Sequence, residues 1–251
     1  MNLLEQELKV NPFEGEKWES SETEEEISPV RDELVERTLE IYSSLTPMEW
    51  ASDEKDRIGG LELDVLDPCQ INVFLHNAIK KKKTSKNQCL IGLFATKLIQ
   101  NSHNAGNNKF MLSAYDSQLY SIGVELIGKP DRPILISIEG NIGRYCFREA
   151  KWCEIQLNGN TVYTIGAYSH NCTYNLYGNA PSQLTSATHN CTYTFFGTLT
   201  PANDRYLTIS ENNVYRTTNP VAFRKLKKRL DKSNTVQLID SAGKILEVFK
   251  K

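Results

Sequence analysis

Read in blocks of nineteen from Gly140, the chain repeats itself: GNIGRYCFREAKWCEIQLN, GNTVYTIGAYSHNCTYNLY and GNAPSQLTSATHNCTYTFF, with Gly197 opening the next block. Gly140, Gly159, Gly178 and Gly197 fall in one column, Asn141, Asn160 and Asn179 in the next, and Cys153, Cys172 and Cys191 in a third. Ahead of each glycine the residues alternate: Cys153, Ile155, Leu157; Cys172, Tyr174, Leu176; Cys191, Tyr193, Phe195. A period of two puts every second side chain on one face, the pattern of a strand with one face buried. Nineteen residues are too few for a pair of helices and match one turn of a parallel β-solenoid, whose coils stack about 4.8 Å apart.

Stacking turns columns into ladders. The cysteines become an inward row, Cys146, Ile165 and Leu184 a second one, and the frame continues upstream through Ile134, Ile136, Ile138 and downstream through Ser210, Asn212, Val214, for roughly five coils. The glycine column is expected where the chain turns with positive φ, which other residues resist. Asn171 and Asn190, just before the strand, suit a left-handed turn whose side-chain amides pair between coils.

The run from Ile136-Ser137-Ile138-Glu139-Gly140-Asn141-Ile142-Gly143 through Gly159-Asn160 and Gly178-Asn179 resembles the glycine-repeat (GXGXG-type) β-helix found in the glutamate synthase C-terminal domain and in the glycine-repeat subunit of formylmethanofuran dehydrogenase. A second glycine of that pattern stands only at Gly143, with Val162 and Pro181 in its place on later coils; a third stands only at Gly166, replaced by Phe147 and Thr185. The resemblance implies a right-handed parallel β-helix acting as a scaffold between active sites, without catalytic residues of its own.

Helix signals flank the repeats. Ser28-Pro29 with Asp32 and Glu33 is a capped start, followed by an apolar face of Leu34, Val35, Thr38, Leu39, Ile41 and Tyr42. Asp67-Pro68 opens a helix to about Lys82 with Ile71, Phe74, Ala78 and Ile79 inward, and Leu90 to Asn101 reads as a third. Phe110 to Ala114 reads as a strand, Asp116 to Ile127 as an amphipathic helix ended by Gly128, and Ile134 to Ile138 as a strand, together a right-handed crossover into the sheet. Asn219-Pro220 starts a helix with Val221, Leu226 and Leu230 inward, and Thr235 to Asp240 with Lys244 to Phe249 forms a hairpin around Ser241-Ala242-Gly243. The expected fold is mainly β with flanking helices, a right-handed parallel β-helix of 19-residue coils. Its parts are an acidic tail (1–27), a mainly helical N-terminal region and cap (28–130), the β-helix (131–217) and a basic helix with hairpin cap (218–251).

The net charge of −2 conceals an asymmetry: residues 1–60 carry 17 acidic and 6 basic side chains, leaving 14 acidic and 23 basic beyond them, so −11 stands against +9. The acidic arm either folds back on the body as a counter-charge or leaves the body free to meet a polyanion. The N-terminal residues lack the basic and apolar regions of a secretory signal, so a cytoplasmic location and reduced thiols are expected.

Candidate chemistry reduces to a few groups. Three cysteines in a line cannot surround one ion tetrahedrally, so Cys153, Cys172 and Cys191 are expected as core, and no metal, cofactor or catalytic residue is expected. His170 and His189 repeat beside the turn asparagines, with no carboxylate at a matching position to make an acid–base pair. The acids Glu149, Glu154, Asp204 and Glu211 are scattered on outward positions and not clustered as carbohydrate cleavage needs. Two basic clusters remain: Lys80, Lys81, Lys82, Lys83 and Lys86, and Arg224, Lys225, Lys227, Lys228, Arg229 and Lys232. The expectation is a non-catalytic binding or scaffold protein using a β-helix surface to engage another macromolecule. Two alternatives stand beside it: an RNA- or ribosome-associated factor binding phosphates through these lysines, and an accessory subunit of a glutamate synthase-like or formylmethanofuran dehydrogenase-like enzyme.

Overall fold

The computed structural model describes residues 29–47, 51–81, 84–181, 187–200, 210–229 and 233–250. The acidic tail, Leu184, Asp204, Leu230 and the lysines at 82, 83 and 232 lie outside these residues. Four helices come first: α1 (Pro29–Ser44), α2 (Ala51–Gly59), α3 (Pro68–Lys81) and α4 (Ser85–Asn104). Strands β1 (Lys109–Leu119), β2 (Ile134–Ile142), β3 (Cys153–Asn158), β4 (Thr173–Leu176), β5 (Ala180–Pro181), β6 (Thr192–Phe195), β7 (Leu199–Thr200) and β8 (Val214–Thr217) follow. Then come α5 (Pro220–Arg229) and the strands β9 (Thr235–Ile239) and β10 (Ile245–Lys250). One eight-stranded sheet runs β1-β2-β3-β4-β6-β8-β9-β10, parallel throughout except for the terminal hairpin, and β5 and β7 pair in a second, two-stranded sheet. The chain is a parallel β-solenoid of about five turns with flanking helices.

The nineteen-residue register holds from Ile134 to Thr194: Ile134 faces Cys153, Glu154 faces Thr173 and Thr173 faces Thr192. Three inward rows result. Cys153, Cys172 and Cys191 are each 1% exposed, and the backbone N–H of Cys172 reaches the Cys191 sulfur at 3.5 Å. The middle row runs Ile136, Ile155, Tyr174, Tyr193, Tyr215 and Val236, and the third Ile138, Leu157, Leu176 and Phe195. All are buried apolar side chains, so each coil covers the apolar face of the next.

Three coils depart from nineteen, the one through α5 stepping twenty-one from Val214 to Thr235. After β6 the step is twenty-two, Thr192 facing Val214. Three extra residues reverse the inside–outside alternation. Asn213, Tyr215 and Thr217 therefore point inward, whereas Asn212 is exposed and Val214 half-buried, correcting the expected frame through Ser210, Asn212 and Val214. Asn213 continues the cysteine row: its Oδ1 accepts from Cys191 N at 2.7 Å, and its own N–H donates to Asn234 Oδ1.

The first coil is longer still. Residues 116–127 form no helix; β1 extends to Leu119 and the chain then turns through Ser121, Gly123 and Glu125, all at positive φ. Leu119, Ile122 and Leu126 are buried on the inside of this coil, and Leu119 faces Ile142. Their spacing of three and four imitates a helix because one inward residue is taken from each bend. The sheet thus begins at Lys109, ahead of the boundary read at 131, and the strand–helix–strand connection occurs at the other end, as β8, α5 and β9.

The glycine column has a different cause from the one expected. Among the four, only Gly140 has positive φ (120°). A Cβ on Gly159 would lie 1.9 Å from the Gly140 carbonyl oxygen, and one on Gly178 or Gly197 2.1 Å from the carbonyl oxygen one coil earlier. Coils touch backbone to backbone here. The neighbouring asparagines supply the amide ladder: Asn160 N donates to Asn141 Oδ1 and Asn179 N to Asn160 Oδ1, both at 2.8 Å. Asn171 and Asn190 take the expected left-handed turn, φ 55° each, as do Trp152 and Asn212 above and below, but the ladder between coils belongs to the 141 column.

The helices close one end. Asp67 and Gln70 cap α3 reciprocally, each side chain accepting the other's backbone N–H. Tyr42 of α1, Phe74 of α3 and Phe94 of α4 pack together with ring centroids 5.2 to 5.7 Å apart. Asn72 of α3 accepts the Ser113 N–H of β1, so the helical layer also covers a backbone group of the first strand. α2 carries no strong sequence signal because Ile58 is its one large aliphatic residue, buried beneath a charged face. At the other end Asn219 caps α5, which buries Ala222, Phe223 and Leu226; Val221, expected inward, is 49% exposed.

Candidate interaction surfaces

The interior is chemically quiet. Burial pushes the Cys146 and Cys172 thiols up to about 12, and the hydrogen bond with Cys172, together with burial, raises Cys191 further. These thiols are un-ionised at neutral pH and poor nucleophiles. Among the described residues no cluster of three or more His, Cys, Asp or Glu side chains could hold a metal ion.

One outward column does join titratable groups. Lys151, His170, His189 and Glu211 bridge in sequence along one corner of the solenoid. The two imidazoles stack with centroids 4.9 Å apart and planes 11° from parallel, and His189 Nδ1 lies 3.7 Å from Glu211 Oε2. The histidine pair therefore has a carboxylate neighbour after all. The three-residue insertion brings Glu211 into register, and Asn212 falling in the Asn171 and Asn190 turn column was the available signal.

Burial first, then the neighbouring His189 and Lys151, hold His170 below the ordinary imidazole range. The folded protein thus binds this proton less readily than the unfolded chain, whose imidazole titrates near about 6.5. The contribution to stability is present in full above that value and is lost as the pH falls through the lowered folded value. His103 is shifted the same way, chiefly by burial. The melting temperature should fall between pH 7.5 and 5.5, and His170→Asn should flatten that fall. Superimposable pH profiles for parent and variant would count against the column.

The outward face of the large sheet is broader and largely uncharged. Its middle row is Ser137, Gln156, Asn175, Thr194, Arg216 and Gln237, of which Ser137 and Thr194 are buried, with Glu154, Thr173, Thr192 and Val214 beside it. Arg216 Nε donates to Gln237 Oε1 at 2.9 Å, and Tyr177 stacks on Phe196 at 4.5 Å along the neighbouring edge.

The structure does not bring the two basic clusters together. Lys80 and Lys86 are exposed on α3 and α4, which pack at the β1 end. Arg224, Lys225 and Lys228 are exposed on α5, which packs on β8 and β9. Six strand steps separate β1 from β9, about 29 Å at the usual spacing. Lys227 is half-buried, its Nζ 3.0 Å from Glu247 and 5.0 Å from the rings of Phe223 and Phe249, so it serves the hairpin. For Lys81 and Arg229 only the backbone is described.

In comparison with known proteins, no family model, curated protein or solved structure matches this chain.

Proposed function

We propose that the protein is a non-catalytic binding module that engages a partner protein through the outward face of its eight-stranded sheet. The observation supporting this is the pair Gln156 and Asn175, half-buried amides held in register one coil apart on the outward face. Such a face offers hydrogen bonds to a complementary surface.

Affinity capture from the native organism at low and high salt tests this reading. The partner should survive high salt and be lost at least tenfold with Asn175→Glu, a variant whose circular dichroism and melting temperature stay near the parent's. Equal recovery with Asn175→Glu would dismiss this face. A partner released by salt and by Lys80→Ser with Lys86→Ser would transfer the reading to a polyanion. A co-purifying catalytic subunit retained through Asn175 would specify the module as an accessory subunit.

A further inference from the structure

A second surface lies on the corner where the coil of residues 134–152 meets the coil of residues 153–171. Arg144 stands under Tyr163, its guanidinium carbon 4.1 Å from the ring centroid and Nη2 2.7 Å from the phenol oxygen. Arg148 lies 5.4 Å from the Tyr168 centroid, and its Nε donates to Glu149. Tyr145 is 55% and Tyr168 48% exposed, and Lys151, whose backbone bridges His170 two residues past Tyr168, is exposed. The nearby acids are Glu149, engaged with Arg148, and Glu125, engaged with Lys55.

Both exposed tyrosines sit at positive φ, 63° and 60°. A bulky side chain pays for that conformation where asparagine or glycine would not, so an aromatic ring is held in solvent against a local backbone preference. Exposed aromatics interleaved with arginine and lysine combine a π-face for unstacked bases with cations for the phosphates between them. We infer that this corner binds single-stranded nucleic acid, with Tyr145 and Tyr168 stacking on bases and Arg144, Arg148 and Lys151 meeting the backbone. The lysine clusters at the two ends play no part, and the surface is separate from the outward sheet face.

The test uses the full chain and fluorescence anisotropy with labelled 12-nucleotide oligo-U and oligo-dT in about 50 mM salt. Binding to at least one is expected, with log affinity falling against log salt at a slope of about −1.4 to −2.1, as two or three neutralised phosphates on a single strand give. Tyr145→Ala and Tyr168→Ala should each weaken binding about tenfold. Tyr145→Asn separates function from folding: it should lose affinity alike while melting at or above the parent's temperature. Lys80→Ser with Lys86→Ser, and Lys225→Ser with Lys228→Ser, should leave affinity within twofold. No binding to either strand would overturn the inference. So would parental affinity in Tyr145→Asn, loss confined to the lysine variants, or equal competition by polyglutamate.

Discussion

Gly178→Ala is expected to destabilise the fold by about 3 kcal/mol or more, among the largest effects a single methyl group can have. The added Cβ would lie 2.1 Å from the Gly159 carbonyl oxygen and 2.5 Å from its carbon. Both are backbone atoms of the coil below, so no flexible side chain can move aside. Relief requires the coils to separate, which strains the adjacent Asn179 N–H bond to Asn160 and the pairing of Thr173 with Glu154 and Thr192. Gly59→Ala is the control: a Cβ there meets nothing within 4 Å. Urea unfolding should show a clearly lower midpoint for Gly178→Ala and an almost unchanged one for Gly59→Ala. Coincident midpoints for Gly178→Ala and the parent would refute the backbone contact between coils.

Tyr193→Ala should cost about 3 to 5 kcal/mol, the usual range for removing a fully buried aromatic ring. Tyr193 is completely buried, stacked between Tyr174 at 4.7 Å and Tyr215 at 5.6 Å. Its removal opens a cavity in the middle of the central inward row. Tyr193→Phe is the informative partner, because the Tyr193 hydroxyl oxygen is buried with no hydrogen-bond partner among the described residues. Replacing an unsatisfied polar atom with hydrogen should leave stability unchanged or raise it by up to about 1 kcal/mol. The two variants together assign the stabilisation to the ring and not to its hydroxyl. A Tyr193→Phe variant as unstable as Tyr193→Ala would show that the oxygen matters after all.

Much of the fold is legible in the sequence because a solenoid writes its tertiary contacts as a sequence period. Wherever the coil is nineteen residues long, a column in the text is a ladder in space, as Cys153, Cys172 and Cys191 demonstrate. Local signals place the ends of helices for equally local reasons, as at Asp67-Pro68 and Asn219-Pro220, where the cap and the capped N–H groups are two or three residues apart. Coils that break the period mislead. The first imitates a crossover helix because Leu119, Ile122 and Leu126 share helical spacing, and the coil between β6 and β8 falls on the opposite face from the one its period implies because three inserted residues invert the alternation.

The surfaces depend on the same registration, but no single stretch of chain contains one. Arg144 meets Tyr163, and His189 meets Glu211, only once coil length has been set, and a change of one residue would part each pair. The amino-acid order alone therefore determined the stacked coil, its inward rows and its capped helices, since each follows from near neighbours or from a strict period. Three-dimensional packing alone decided why the glycines are required, which face Asn213 and Glu211 occupy, and that the two lysine clusters stand at opposite ends. Those properties arise from contacts between backbones and side chains nineteen or more residues apart, whose alignment an insertion can shift without leaving a local trace.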